Sequence, residues 1–172
     1  MQNSQTTPRI YVACLAAYNN GMLHGRWIDA NKDAQDIHDE IKEMLTTSPI
    51  PNSEEFAIHD YEGFGGLKLS EYESIEKVAE FAALIEEHGE AWCAYAGYVG
   101  LEYATVEDFE DAYAGQWDSE EDFAENLASE TMEIPKYLEY YIDYEKLARD
   151  LFINDYFSVD GSDFKVHVFR RM

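Results

Sequence analysis

Carboxylates are the chemistry-bearing groups of this chain: 36 of its 172 residues are Asp or Glu, against 12 Lys or Arg. Two carboxylates held ~5–10 Å apart can serve as acid and base on a glycosidic bond, and aromatic platforms for a sugar are plentiful here. So many acids guarantee some close pairs, however, and abundance is not a catalytic constellation. Asp118-x-Glu120-x-Asp122 begins like a calcium loop, but Phe123 stands where that loop needs glycine for its sharp turn. His24, His38, His59, His88 and His167 show no metal-ligand spacing. No Gly-x-Ser-x-Gly elbow marks a nucleophile. Gly63-Phe64-Gly65-Gly66 lacks the Gly-Lys-Ser/Thr of a phosphate loop and reads as a linker. Cys14 and Cys93, in apolar surroundings, read as buried free thiols of a reducing compartment. The expectation is no catalytic residue, no metal, no cofactor and no enzyme activity.

The acids are unevenly placed. Between Lys77 and Lys136 lie 58 residues without one Lys or Arg. That window holds Glu80, Glu86, Glu87, Glu90, Glu102, Glu107, Asp108, Glu110, Asp111, Asp118, Glu120, Glu121, Asp122, Glu125, Glu130 and Glu133. It carries −16 of the formal −24, leaving −8 for the other 114 residues. A solvated helix face usually mixes signs, because like charges at i,i+4 destabilise the helix. Here that benefit is absent throughout the window, so the self-repulsion is either tolerated or serves a partner.

The same charge excludes other partners. Phosphate repels it, so direct nucleic-acid binding is not expected, and anionic membrane surfaces repel it as well. Residues 10–25 and 91–101, the longest uncharged stretches, fall short of the ~20 apolar residues a spanning helix needs. Residues 1–7 have neither the basic nor the apolar region of a secretory leader. A cytoplasmic protein is the expectation. Aromatic residues make up 15% of the chain, which marks it as a folding sequence rather than an acidic tail.

Alternation and turn residues predict strands over residues 9–17, 23–30 and 55–61, with a turn at Asn19-Asn20-Gly21. Ile37, Ile41, Met44 and Leu45 predict a helix over 31–47 capped by Asn31 and stopped by Pro49. A helix over 74–88 ends at Gly89, and residues 90–101 read as a short, mostly apolar helix or a packed segment. Thr105 and Ser119 open helices with an acid three residues on, approximating capping boxes. Gly115 is expected to end the first of these. These caps account for Glu107, Asp108, Glu120, Glu121 and Asp122 as helix-starting acids and leave eleven others in the window unexplained. Pro135 reads as a helix start, Asp143 as the cap of a helix over 144–151, and residues 152–159 and 164–170 as a terminal hairpin. The fold class is therefore α+β. Its expected units are an N-terminal α+β domain (1–62), a central helical domain (63–104) and a C-terminal α+β domain (105–172).

If helical, the window places one acid per ~5.4 Å of axis, whereas B-DNA carries one charge per ~1.7 Å. Helices packed side by side would approach duplex density, and a basic DNA groove would then meet a surface imitating its ligand. At this point particular stretches matter. Residues 10–21, Ile-Tyr-Val-Ala-Cys-Leu-Ala-Ala-Tyr-Asn-Asn-Gly, and the following Leu23-His24-Gly25-Arg26-Trp27 resemble the opening of the ArdA antirestriction family. So do residues 55–62, residues 113–119, Ile134-Pro135, residues 140–145 and Ala148-Arg149-Asp150-Leu151. The blocks occur in family order from about residue 9 onward.

That resemblance implies an elongated chain of three small units, acting as a homodimer through its C-terminal part and carried on plasmids or conjugative transposons. It implies a DNA mimic that occupies the DNA-binding groove of type I restriction-modification enzymes, with no catalytic residue. The sixteen acids would supply the mimic surface, and Tyr140, Tyr141, Tyr144 and Leu151 the dimer contact. The alternatives are an acidic binder or chaperone of basic DNA-binding proteins, and a carboxylate-dependent hydrolase.

Overall fold

A computed structural model describes residues 7–172. Residues 1–6, on which most of the leader reading rests, lie outside the described residues. The chain divides between Gly89 and Glu90 into two compact units. Each carries a three-stranded antiparallel sheet, so the fold is α+β.

In the first unit the central strand is β1 (Arg9–Cys14). It pairs with β2 (Gly25–Asp29) on one side and β3 (Phe56–Glu62) on the other. β1 ends earlier than its apolar run, because Leu15–Asn19 turns into a short helix, α1. Alanines at 16 and 17 favour the helix, and Gly21 in a left-handed conformation (φ 73°) reverses the chain. Helix α2 (Ala34–Thr46) starts at Asp33 rather than Asn31. The Asn31 side chain is used elsewhere, donating to the Glu86 carboxylate. Ile37, Ile41 and Met44 bury the inner stripe of α2 in a core with Ile10, Val12 and Ile28. The 62/63 boundary falls inside this unit, where Phe64 and Leu67 are buried.

Helix α3 (Ile75–Val99) is interrupted at Gly89, whose φ of 61° and ψ of −142° no L side chain adopts readily. The run before Gly89 belongs to the first unit and the run after it to the second. There the elements are α4 (Val106–Ala112), β4 (Tyr113–Trp117), α5 (Glu120–Thr131), α6 (Tyr144–Asn154), β5 (Tyr156–Asp160) and β6 (Val166–Arg170). The strand order is β4-β6-β5. β4 is a correction to the sequence reading: Gly115 does not end a helix but sits at φ 104° inside an edge strand. Pairing with β6 holds that strand, and its register slips between Tyr113 and Gln116, as a bulge at glycine allows. Pro135 starts no regular helix; only a 3-10 turn, Glu139–Tyr141, follows. The terminal strands are shorter than read, because α6 runs on to Asn154 and Phe164 stands exposed at φ 60°.

Aromatic rings fill the second core. Phe169 meets Tyr95, Phe157 and Tyr113 at centroid distances of 5.5, 5.1 and 5.4 Å. Phe123, Tyr156 and Val168 form an adjoining cluster against which Trp117, Leu127, Leu151 and Phe152 pack. Cys14 and Cys93 are both buried and free. Among the described residues no helix is long and apolar enough to cross a membrane.

Three of the four predicted caps form as read, Asn31 being the exception. Asp108 N–H donates to Thr105 Oγ1 at 3.1 Å, Asp122 N–H to Ser119 Oγ at 3.0 Å, and Lys146 N–H to Asp143 Oδ1 at 3.0 Å. Ser119→Ala should therefore cost about 1 kcal/mol in urea unfolding, whereas Phe169→Ala should cost about 3–5 kcal/mol. The Lys146 backbone N–H, then the Lys146 side chain, holds the Asp143 carboxyl below its ordinary value. Stability from this depressed carboxyl is present above its unfolded value and is lost as pH falls through the lower folded value. Replacing Asp143 with Ala should flatten that part of the acid limb in a pH series of thermal melts.

Candidate functional site

The helices that bury one face hold the carboxylates of the opposite face in water. On α4, Glu107, Glu110 and Asp111 share a face at i, i+3, i+4 spacing and are exposed, while Phe109 and Ala112 are buried. On α5, Glu121, Asp122, Glu125 and Glu130 are exposed, and Phe123, Ala124 and Ala128 turn inward. Glu102, Asp118 and Glu133 are exposed in the connections. Together with the half-buried Glu90, Asp108 and Glu120, these acids belong to the second unit. Glu80, Glu86 and Glu87, exposed on the first run of α3, belong to the first.

Neutralisation inside the molecule is sparse. Of the sixteen, only Asp118 has a Lys or Arg partner among the described residues, Lys165 Nζ at 3.1 Å. The other ion-paired bases serve acids outside the window: Arg9 with Glu62, Arg26 with Glu43, Lys32 with Glu40, Lys77 with Glu73, Lys146 with Asp143 and Arg149 with Asp150. Several window acids make local contacts. Asp108 and Asp122 accept from the hydroxyls of Thr105 and Ser119 in their capping boxes. Glu120 accepts from Ser158 Oγ at 2.6 Å, Glu90 from Ser162 Oγ at 2.8 Å and Glu86 from Asn31. Glu87 lies 3.9 Å from His88 Nε2. Among the described residues, Glu80, Glu102, Glu107, Glu110, Asp111, Glu121, Glu125, Glu130 and Glu133 make no ion pair and no side-chain hydrogen bond. Their mutual repulsion is screened by water and salt, so each close pair costs only a few tenths of a kcal/mol.

An open groove of about 650 Å³ lies between the starts of α5 and α6, lined by Asp118, Glu120, Glu121, Asp143, Glu145, Lys146 and Arg149 among others. Three of its five carboxylates are already engaged: Asp118 by Lys165, Glu120 by Ser158 and Asp143 by the Lys146 N–H. Glu121 and Glu145 are both exposed, which is not the asymmetric setting that separates a general acid from a base. The groove can offer carboxylates to a cationic side chain.

The four aromatic and apolar residues read as dimer contact divide into two kinds. Tyr140 and Tyr141 are 92% and 83% exposed, and Met132, Tyr137 and Leu138, nearby in sequence, are exposed too. Tyr144 is half-buried, and Leu151 packs against the Phe123, Tyr156 and Val168 cluster.

Counting acids in a base-free window overlooks others in the same condition. Asp36, Glu54 and Glu55 in the first unit, and Glu139, Glu145 and Asp155 in the second, are exposed. Their carboxylates too have no base within ion-pair distance among the described residues. Bases nearby in sequence, such as Lys42 and Lys136, disguise them. Only folding shows that, among the described residues, those bases form no ion pair with them.

A protein-family model described as antirestriction protein (ArdA) matches residues 10–165 of the chain. A comparison with curated proteins finds no match.

Proposed function

Because this chain belongs to the ArdA antirestriction family, whose members act on restriction enzymes, we propose that it is a DNA mimic for type I restriction-modification enzymes. Its acidic surface occupies the DNA-binding groove of the methyltransferase and specificity core, and incoming mobile DNA escapes cleavage. It works by occupancy, without catalysis or cofactor, in the cytoplasm of a cell receiving plasmid or transposon DNA.

One observation carries this reading: among the described residues, fifteen of the sixteen window acids have no Lys or Arg partner, although the chain possesses bases that could have been placed beside them. An enzyme groove built for a polyanion supplies those missing cations. Capture proceeds by steering of the negative surface toward the positive groove, and the arrangement of carboxylates selects which grooves fit. A homodimer formed through the exposed Tyr137, Leu138, Tyr140 and Tyr141 would extend the acidic surface, and burying these side chains would remove apolar area from water.

Competition is the direct test: the protein is titrated into a complex of a type I methyltransferase core with a DNA duplex. Excess protein should displace the duplex, and raising salt toward ~0.5 M should weaken capture while the melting temperature holds. Capture that ignores salt would remove the electrostatic account. Distribution of charge makes a second expectation. Single neutralisations such as Glu107→Gln should change competition less than about 5-fold, because exposed pairs contribute up to about 1 kcal/mol. Reversing Glu107, Glu110, Asp111, Glu121 and Glu125 together to Lys should weaken it by more than about 100-fold. Equal capture of any basic protein, such as a histone-like protein, would favour a general acidic binder instead.

A further inference from the structure

We infer that Glu90 is a positioning residue within the second unit, latching the helical run after Gly89 to the β5–β6 turn, and is not part of the partner-facing charge. The inference narrows the mimic surface proposed above and to that extent rests on that reading.

Glu90 begins the run because Gly89 ends the one before it in a conformation that favours glycine. Its carboxylate turns toward the C-terminal sheet. Ser162 Oγ donates to Glu90 Oε2 at 2.8 Å, across 72 residues of sequence. The same oxygen lies 3.6 Å from Nε2 of His167, which is buried on the central strand β6. The other imidazole nitrogen, Nδ1, lies 3.2 Å from the Tyr113 hydroxyl on β4. Gly161 closes the turn over this ring: a Cβ there would stand 3.0 Å from His167 Cδ2 and Nε2. The Gly161 N–H donates to Lys165 O at 2.8 Å, so the turn that presents Ser162 is itself held.

Neighbouring groups register the Glu90 charge. Burial, and then Glu90, pushes the Cys93 thiol up to about 11, and the same two causes raise the Tyr113 hydroxyl. Among the described residues, Glu107 and Glu110 make no such side-chain hydrogen bond or ion pair. A carboxylate committed to Ser162 and facing an imidazole cannot also be given to a partner without opening the turn.

Glu90→Ala, Glu90→Gln and Ser162→Ala separate the roles, with Glu107→Gln/Glu110→Gln/Asp111→Asn as a charge-loss reference. Glutamine keeps an oxygen that accepts from Ser162, and alanine does not. Glu90→Ala should lower the melting temperature by about 4–8 °C. It should also speed amide exchange of residues 90–93 and 161–167 by more than about tenfold. Ser162→Ala should accelerate exchange over the same residues, and Glu90→Gln should restore most of both effects. In competition with duplex, Glu90→Gln should leave the slope of log affinity against log salt unchanged, whereas the triple variant should flatten it. An unchanged melt and exchange pattern for Glu90→Ala would overturn the latch. So would a slope loss for Glu90→Gln equal to one third of the triple variant's. If the wild-type protein displaces no duplex, the mimic reading fails, and melting with exchange still decides the latch.

Discussion

Like charges crowded on short helices repel one another, and helices of seven and twelve residues have little intrinsic stability to oppose that repulsion. Everything in the second unit answers this constraint. Where ordinary surface helices gain from i,i+4 ion pairs, α4 and α5 gain from their inner faces and their first turns. Phe109 and Ala112, and Phe123, Ala124 and Ala128, give up water for a core of stacked and edge-on rings. Thr105 and Ser119 satisfy N-terminal amides that repulsion would otherwise help to fray. The acids nearest those caps also face the positive end of the helix dipole, so part of the charge is stabilising where it stands. The rest is tolerated because it lies in water.

This arrangement separates two kinds of carboxylate that a composition cannot distinguish. Some are structural: they cap a helix, accept from a serine across the sheet, or pair with one lysine. Others meet no side-chain donor among the described residues. The distinction matters for affinity, since a carboxylate already hydrogen-bonded must break that bond to serve a partner, while a free one loses only water.

Local chemistry was legible in the sequence and non-local pairing was not. The caps at Thr105, Ser119 and Asp143, the break at Gly89 and the inner stripe of α2 follow from residues within a turn or two of one another. β4 was missed because Tyr-Ala-Gly-Gln-Trp carries no alternation, and its strand state is imposed by β6 some fifty residues later. Asn31 looked like a cap because its type suits one, and Asp33 took that place while Asn31 reached Glu86. The acidic surface was legible as a stretch without bases. Which acids within it are free required knowing where Ser158, Ser162 and Lys165 come to lie.

Strand order gives the two units opposite schedules of assembly. The first sheet is built on its earliest strand, so β2 and β3 can join β1 as each is made. The second sheet is built on its latest, since both β4 and β5 hydrogen-bond only to β6. A chain growing from the ribosome therefore completes its first unit early. The acidic helices meanwhile remain without the sheet that buries their inner faces, and they acquire it only when the final strand emerges to bind its two neighbours at once.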